Sequence, residues 1–291
     1  MIPKNLDTMQ CIKSTLRSVC RTDDGSLLMP CDLSGIETRV LAWLAKCEKL
    51  LQVYRDGKDP YISFAVEMFK VPYADVTSEQ RQYGKPIVLG CGFQMGSARL
   101  QESAATYGVV FSDEECQKYI KLYRETYPEI ANLWGRMENF AKTAVRDRRS
   151  GKAYGLTFNG TNKKIFSITL PSGRALHYHS PRLVKDNYGL KLAYDGIETK
   201  GWSIRTTHGG KIVENIVQAI SRDILLAGMV NAYRKGFKIV GHVHDELIPE
   251  VPNGSSLTLE DLRQCMLAPL DWAPDLQIDA AGYVSTFYKK G

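Results

Sequence analysis

Two acidic residues, far apart in the chain, each follow a short apolar segment, and this pairing constrains the fold more than any other feature. Asp32 follows the segment 26–31, and Asp245 lies two residues after the segment 237–243. Short apolar runs of this length, bounded by turn residues, indicate buried β-strands. A further apolar run at 247–251 would return beside the second strand. The sequence therefore predicts strands whose neighbouring ends bring the two carboxylates together.

Neighbouring carboxylates are suited to magnesium. Mg²⁺ prefers oxygen ligands and usually keeps waters and substrate phosphates in its shell, and two ions roughly 3.5–4 Å apart can activate an attacking hydroxyl and stabilise a leaving oxygen. The same acids have an ordinary interpretation, because an aspartate after a strand is most often a turn residue or a helix N-cap. A helix is predicted directly after Asp32, over 34–45, where Ile36, Val40 and Leu44 share one face. The acids alone leave both interpretations open.

A second pattern combines two cations with two apolar residues at four-residue spacing. These side chains form one slowly drifting stripe on a predicted helix: Arg81, Lys85, Leu89 and Phe93. Two cations one turn apart can bind a triphosphate, and phosphoryl transfer depends mostly on positioning and charge stabilisation. On spacing alone, a solvated cation pair beside a buried apolar stripe is the better supported interpretation. Because proline disrupts a helix interior, Pro86 predicts that the helix begins or bends near Lys85.

The acidic and cationic segments, in this order and with this internal spacing, resemble motifs A, B and C of the family A DNA polymerases, the group of bacterial DNA polymerase I. The three segments are 32–39, 81–93 and 243–246. The resemblance covers nearly the whole chain from about Ile12, and 209–223 is similar to a long palm helix of phage-type members. It implies an α+β fold, with a right-hand palm of antiparallel sheet and helices, mainly helical fingers, and the thumb absent.

The resemblance implies a template-directed DNA polymerase, in which a primer 3′-OH attacks the α-phosphate of a dNTP in the presence of two Mg²⁺ ions. Asp32, Asp245 and Glu246 would be catalytic, and the carbonyl of Leu33 would join the two aspartates as a metal ligand. The residues implied to bind the dNTP are Arg81, Lys85, Leu89, Phe93, Glu37 and Tyr61. The residues implied to contact the primer–template are Gln218 and His244.

Glu37 matches the residue that excludes a ribose 2′-OH in the family, a discrimination that requires a clash or an unpaired polar group. The chain departs from the family pattern nearby: Leu89 replaces a usual Phe or Tyr, and Phe93 replaces the Tyr that holds the Glu in relatives. Two alternatives remain. A single-subunit RNA polymerase-like enzyme is opposed by Glu37, and a non-catalytic replication accessory remnant is opposed by retention of both aspartates and both cations.

The chain order predicts a palm segment at 1–45, fingers at 46–205, and a second palm segment at 206–291. Helices of the fingers are predicted over 47–56, 60–70, 77–104, 112–127 and 128–148. A small antiparallel section is predicted over 151–176, where Asn-Gly and Ser-Gly pairs mark turns. The second palm segment is predicted to contain the long helix, the acidic hairpin, a helix near 257–268 and a final strand.

Only 31 residues precede Asp32, so the resemblance leaves no room for a thumb. We therefore expect a second polypeptide that supplies the thumb, with or without an exonuclease, and docks near 1–21, as in a split phage polymerase. A net charge of +6 agrees with a DNA partner. Seven scattered cysteines favour reduced thiols and a cytoplasmic location, in the host cell if the chain is phage-encoded. No signal peptide or membrane-spanning run is visible.

Overall fold

The computed structural model describes residues 12, 15–186, 189–199 and 201–289. It contains helices and antiparallel sheets, which confirms the predicted α+β class. The chain divides into two compact units. The first comprises Met1–Ile36, Ser221–Pro274 and Ile278–Gly291, and the second comprises Glu37–Ile220 and Asp275–Gln277. The palm and fingers boundaries at 45/46 and 205/206 remain predictions.

The helices are α1 (Ile36–Ala45), α2 (Glu48–Arg55), α3 (Pro60–Phe69), α4 (Ser78–Cys91), α5 (Ser97–Thr106), α6 (Asp113–Thr126), α7 (Pro128–Asp147), α8 (Gly209–Lys235) and α9 (Leu259–Met266). The strands are β1 (Ser26–Leu28), β2 (Cys31–Leu33), β3 (Ser150–Ala153), β4 (Leu156–Asn159), β5 (Ile165–Thr169), β6 (Ala175–Asp186), β7 (Gly189–Glu198), β8 (Gly201–Thr207), β9 (Lys238–Val243), β10 (Glu246–Pro252) and β11 (Ala280–Gly282). A short 3₁₀ turn spans Tyr73–Asp75.

The first unit is built on an antiparallel sheet with strand β10 at its centre. On one side β10 pairs with β9, and along the other side it pairs with β1 and then with β2, while β11 pairs with β2. The apolar residues of these strands are buried, among them Leu28, Leu33 and Leu247. A Cβ atom on Gly228 of α8 would lie 2.9 Å from the Cα of Met266, so α8 and α9 pack closely in this unit.

The predicted strand over 26–31 is wrong in its extent, because Met29 and Pro30 divide it into β1 and β2. Pro30 has no N–H to donate to a ladder, and its carbonyl instead accepts a hydrogen bond from the N–H of Tyr283 at 3.0 Å. Asp32 consequently lies inside β2 and not after a strand end. The return strand β10 begins at Glu246, one residue earlier than predicted.

The second unit contains helices α2 to α7 and a six-stranded sheet. An aromatic cluster joins α3 to α6 and its C-terminal end: the ring centroids of Phe64 and Tyr123 are 5.7 Å apart, and those of Tyr123 and Tyr127 are 5.1 Å apart. Helix α4 begins with a capping box in which the Thr77 hydroxyl accepts from the N–H of Gln80 and the Gln80 side chain accepts from the N–H of Thr77. The aromatic contacts pack the helices together, and the capping box fixes where α4 starts.

The predicted single helix over 77–104 is interrupted, and the residues between α4 and α5 form a turn. Gln94 has a φ of +63°, and the carbonyl of Gly92, left without a helical partner, accepts a hydrogen bond from Trp134 Nε1 at 2.9 Å. Pro86 lies inside α4, so the alternative in which the helix begins near Lys85 is also wrong. Phe93 therefore lies outside the helix that carries Arg81 and Lys85.

The antiparallel section is larger than the predicted 151–176. Strands β3 to β8 form a six-stranded sheet in which each strand pairs with the next along the chain, extending to Thr207. The ladder shifts register between His179 and Arg182 of β6, and this irregularity breaks the period-two alternation by which a strand is recognised in a sequence. The sheet packs against α7.

Two expectations about the environment of the chain can be compared with the structure. Among the described residues, no helix combines the length and apolar character needed to cross a bilayer. The described cysteines are free thiols, and all of them except Cys20 are buried. The buried thiols thus belong to the packing of the protein.

Candidate active site

The acidic residues of the first unit converge through strand pairing. Asp32 of β2 stands directly opposite Glu246 of β10 in the ladder. The N–H of Leu33 donates a hydrogen bond to the carbonyl of Asp245 at 3.1 Å. Between β9 and β10 the chain reverses at His244, whose φ of +53° lies in the left-handed region. The turn therefore holds Asp245 beside Asp32 by backbone contacts.

These residues line a pocket of about 660 Å³ within the first unit. The polar and charged side chains at its wall are Arg17, Asp32, His244, Asp245, Glu246, Tyr283, Tyr288 and Lys289. All three predicted catalytic acids and the predicted primer contact His244 thus share one cavity. The pocket is large enough to admit solvent, ions and part of a substrate.

The pocket raises the pKa of Asp32 to about 7. The causes, in order, are burial of its carboxyl group, the charge of Asp245 and a hydrogen bond with its side chain, and the charge of Glu246. Two carboxyl groups close enough to share a hydrogen bond resist carrying two negative charges. Near neutral pH the acidic pair therefore keeps a proton readily unless a cation replaces it.

Glu246 contacts another side chain that lines the pocket. The hydroxyl of Tyr288 donates a hydrogen bond to Glu246 Oε2 at 2.5 Å, and the guanidinium of Arg17 lies 5.8 Å from the centre of the Tyr288 ring. Burial raises the pKa of Glu246, while Tyr288 and Arg17 oppose this shift. The protein itself thus supplies a hydrogen-bond partner for Glu246.

The donor set of the pocket fits magnesium in one specific respect. Two aspartate carboxylates that repel each other are relieved by a hard cation, and Mg²⁺ commonly takes one or two protein carboxylates and completes its shell with water and phosphate. Within the described ranges, no group of three or more His, Cys, Asp or Glu residues is arranged as a protein-only metal site. The pocket suits an ion that the substrate helps to bind.

The predicted cations of the second unit lie next to one another on α4 and face α3. A Cβ atom on Gly84 would lie 2.6 Å from the carbonyl oxygen of Tyr61, so the two helices approach closely there. The guanidinium of Arg81 lies 5.2 Å from the centre of the Tyr61 ring, and Lys85 Nζ lies 6.0 Å from it. Arg81, Lys85 and Tyr61 therefore form one cationic cluster.

Two residues without a predicted role complete this cluster. Arg81 Nε donates to Asp59 Oδ2 at 2.8 Å, and Lys85 Nζ lies 5.2 Å from the centre of the Tyr107 ring. The sequence offered a signal for Asp59, because an Asp followed by Pro is a typical helix N-terminus. It offered none for Tyr107, whose carbonyl accepts from the Gln82 side chain across 25 positions of sequence.

The remaining residues of the predicted dNTP set are spread over the second unit. Glu37 lies in the first turn of α1, and its charge is one of the influences on Tyr61, whose pKa is raised to about 12, chiefly by burial. Leu89 is half-buried on α4. Phe93 does not continue the stripe, because it lies in the turn after α4.

The two predicted primer–template contacts belong to different units. Gln218 lies on α8 with an exposed side chain, where it is available to a ligand. His244 lies at the tip of the β9–β10 hairpin and is exposed at the acidic pocket. Sequence reasoning gave no site role to Arg17, Tyr283, Tyr288 and Lys289, which line that pocket.

Comparison with known proteins places the chain in a family. The family model for DNA polymerase family A matches residues 2–281. The DNA polymerase of Bacillus phage SP02 is 37% identical over 286 residues, covering 96% of this chain and 44% of that protein. The thermostable DNA polymerase I of Thermus aquaticus is 26% identical over 86% of this chain and 25% of its own length.

The chain belongs to DNA polymerase family A, since the family model spans nearly all of it. The fold agrees: the structure is similar to the POL domain of Pol1 from M. smegmatis, solved in complex with a DNA primer–template and dNTP, with a TM-score of 0.61 and 17% identity over 98% of this chain and 44% of that one. The chain spans less than half the length of the relatives it matches.

Proposed function

We propose that the chain is the catalytic core of a template-directed DNA polymerase, which joins a dNTP to a primer 3′-OH and releases pyrophosphate. The observation that carries this proposal is the placement of Asp32 and Asp245 side by side in one pocket. The segments that contain them resemble two motifs of the family. Two neighbouring carboxylates could hold the metal ions that two-metal nucleotidyl transfer uses.

Asp32 and Asp245, with the carbonyl of Leu33, would hold two Mg²⁺ ions in this scheme. When bound, the ions would lower the pKa of the primer hydroxyl and neutralise charge on the phosphates. The aspartates would have to be ionised to act as ligands, so the raised pKa of Asp32 opposes metal binding at low pH. Glu246 would tune the charge of the pocket from the neighbouring ladder position.

Arg81 and Lys85 would bind the triphosphate, and Tyr61 would support both cations through its ring. Leu89 and Phe93 would cover the base and sugar, although Phe93 would do so from a turn. Glu37 would exclude ribonucleotides, and Gln218 and His244 would contact the primer–template. These roles rest on matches to family motifs and on the contacts made within each unit.

The second polypeptide predicted from the sequence has no contact or comparison in its favour. Most of its predicted docking segment, 1–21, lies outside the described residues, which begin with 12 and 15. The cytoplasmic location also stays a prediction. Both stay proposals, since the chain spans 44% of the length of the Bacillus phage SP02 DNA polymerase that it resembles.

Single-nucleotide primer extension tests the proposed activity. The chain is incubated with a primer–template, Mg²⁺ and either one dNTP or the corresponding rNTP. We expect incorporation of the templated dNTP and rejection of the rNTP. Preference for the rNTP would favour the RNA polymerase-like alternative, and no incorporation of either, with or without protein fractions from the native source, would favour the non-catalytic alternative.

A further inference from the structure

Asp59 is the carboxylate of the cationic cluster, and hydrogen bonds hold it in place. At the N-terminus of α3, its Oδ1 accepts hydrogen bonds from the N–H groups of Tyr61 at 2.7 Å and Ile62 at 3.2 Å. Its own N–H donates to the hydroxyl of Tyr73 at 2.9 Å. Two hydrogen bonds therefore fix the side chain and a third fixes its backbone, independently of the cations.

The other oxygen of Asp59 faces Arg81 alone among the partners described for it. Arg81 Nε and Nη2 both lie 2.8 Å from Asp59 Oδ2, so the carboxylate occupies one edge of the guanidinium. Within the described part of the chain, Arg81 Nη1 has no hydrogen-bond partner. The Arg81 side chain is 37% exposed, and the Tyr61 ring lies 5.2 Å from its charge. The guanidinium thus keeps an accessible edge in a fixed orientation.

Arginine recognises phosphate with two parallel N–H groups, and the gain depends on how little side-chain freedom is lost on binding. A carboxylate fixed at a helix cap removes that freedom in advance. The same carboxylate also brings negative charge close to a site for a polyanion. Positioning and repulsion therefore predict opposite effects when the charge of Asp59 is removed.

We propose that Asp59 is a positioning residue for the nucleoside triphosphate: it holds the Nε edge of Arg81 so that the remaining edge is presented to the phosphates. The inference rests on the proposed function, because it assigns the triphosphate to the cluster of Arg81 and Lys85. Asp59 does not touch the substrate. Its effect is transmitted through Arg81, and removal of its charge weakens triphosphate binding even though repulsion also falls.

The test is Asp59→Asn, because Asn caps a helix as well as Asp does but carries no charge for Arg81. We expect the apparent KM for dNTP to rise about tenfold with a smaller change in kcat, and the Kd for Mg²⁺–dATP, measured by calorimetry without DNA, to rise in parallel. The matched control is Asp56→Asn, which breaks an exposed contact with Lys58 of 2.9 Å and is expected to leave both constants unchanged. Far-UV circular dichroism and the thermal midpoint check that the variant keeps the overall fold.

A double-mutant cycle isolates the route of the effect. In an Arg81→Ala background, Asp59→Asn is expected to change neither constant further, because residues that act through one another are not additive. A KM and Kd that fall or stay constant in Asp59→Asn, or an equal effect with and without Arg81, would overturn the inference.

The outcomes separate this inference from the proposed activity. If the unaltered chain extends primers and Asp59→Asn matches it in both constants, only the positioning role fails. If the unaltered chain binds Mg²⁺–dATP but extends no primer, the activity fails and the Kd of Asp59→Asn still decides the role of Asp59. If it neither binds nor extends, both are overturned.

Discussion

The acidic pocket of the first unit and the cationic cluster of the second unit are built on opposite principles. In the pocket, strand pairing holds Asp32 and Asp245 together although their charges repel, and the pKa of Asp32 is raised as a result. In the cluster, Arg81 already has Asp59 as an ionic partner, and Lys85 lies over two aromatic rings. The charges of Asp32 and Asp245 therefore repel each other until a cation binds, whereas the charge of Arg81 is balanced by Asp59 before any anion binds.

The comparison predicts that the largest loss of activity follows from the pocket. Asp32→Ala or Asp245→Ala should lower single-nucleotide incorporation by about 10³-fold, the upper end of what removal of one charge-stabilising group from a catalytic site costs. The control is Asp24→Ala, an exposed acid in the turn before β1. Near-normal incorporation by either aspartate variant, measured by quenched-flow primer extension, would remove the pocket from the mechanism.

Loss of one cation should be less severe, because the cluster shares its charge between two side chains. Lys85→Ala should reduce kcat/KM for dNTP by about 2–4 kcal/mol, through both a higher KM and a lower kcat. Lys118→Ala is a matched control, since Lys118 Nζ also lies over a ring, 5.6 Å from the centre of Tyr119. If the two variants behave alike in steady-state extension, the cluster does not bind the triphosphate.

Selection of the sugar should change without a comparable loss of rate. Glu37→Ala should increase the relative use of rNTP by about tenfold or more, because a pocket that lacks a clash discriminates poorly against an added hydroxyl. Glu79→Ala, which removes an exposed acid from the first turn of α4, should leave the ratio unchanged. Competition of a dNTP against its rNTP on one template gives the ratio, and continued exclusion in Glu37→Ala would assign the gate to another residue.

The smallest effect concerns the stability of the metal-free protein. The pKa of Asp32 is raised to about 7 in the folded state from an ordinary value of 3.8, so the folded state binds more protons between these values and stability falls as pH rises from about 4 to 7. Asp32→Asn should flatten this decline, and Mg²⁺ should counteract it. Urea denaturation at several pH values measures the slope, and an equal slope in both proteins would contradict the repulsion.

How far the sequence predicted these two sites follows from what holds each of them. The approach of Asp32 and Asp245 was predictable, because both belong to apolar segments that pair in one sheet, although Asp32 proved to lie within β2. The stripe on α4 was predictable only to Leu89. Its end depends on Trp134, 42 positions from Gly92, whose side chain satisfies the carbonyl of the terminating turn.

Other features depend on contacts that no local pattern records. Pro86 is accommodated within α4, which continues from Ser78 to Cys91 although the residue lacks an N–H. The sheet beyond Leu176 was missed because β6 shifts register, and alternation then fails as a signal. Tyr107 and Tyr288 reach their sites by tertiary packing alone. The sequence thus predicts residues on regular elements better than residues at the ends of elements.

The central claim, that Asp32 and Asp245 form a site which needs a cation, is tested most directly by binding of Mn²⁺ as a stand-in for Mg²⁺. Electron paramagnetic resonance of free Mn²⁺ gives the number and affinity of bound ions for the metal-free chain, for Asp32→Asn and for Asp24→Asn. We predict binding to the unaltered chain and to Asp24→Asn, and a loss of more than about tenfold in affinity for Asp32→Asn, since even residues behind metal ligands change affinity by that much. Equal binding by all three proteins would contradict the account.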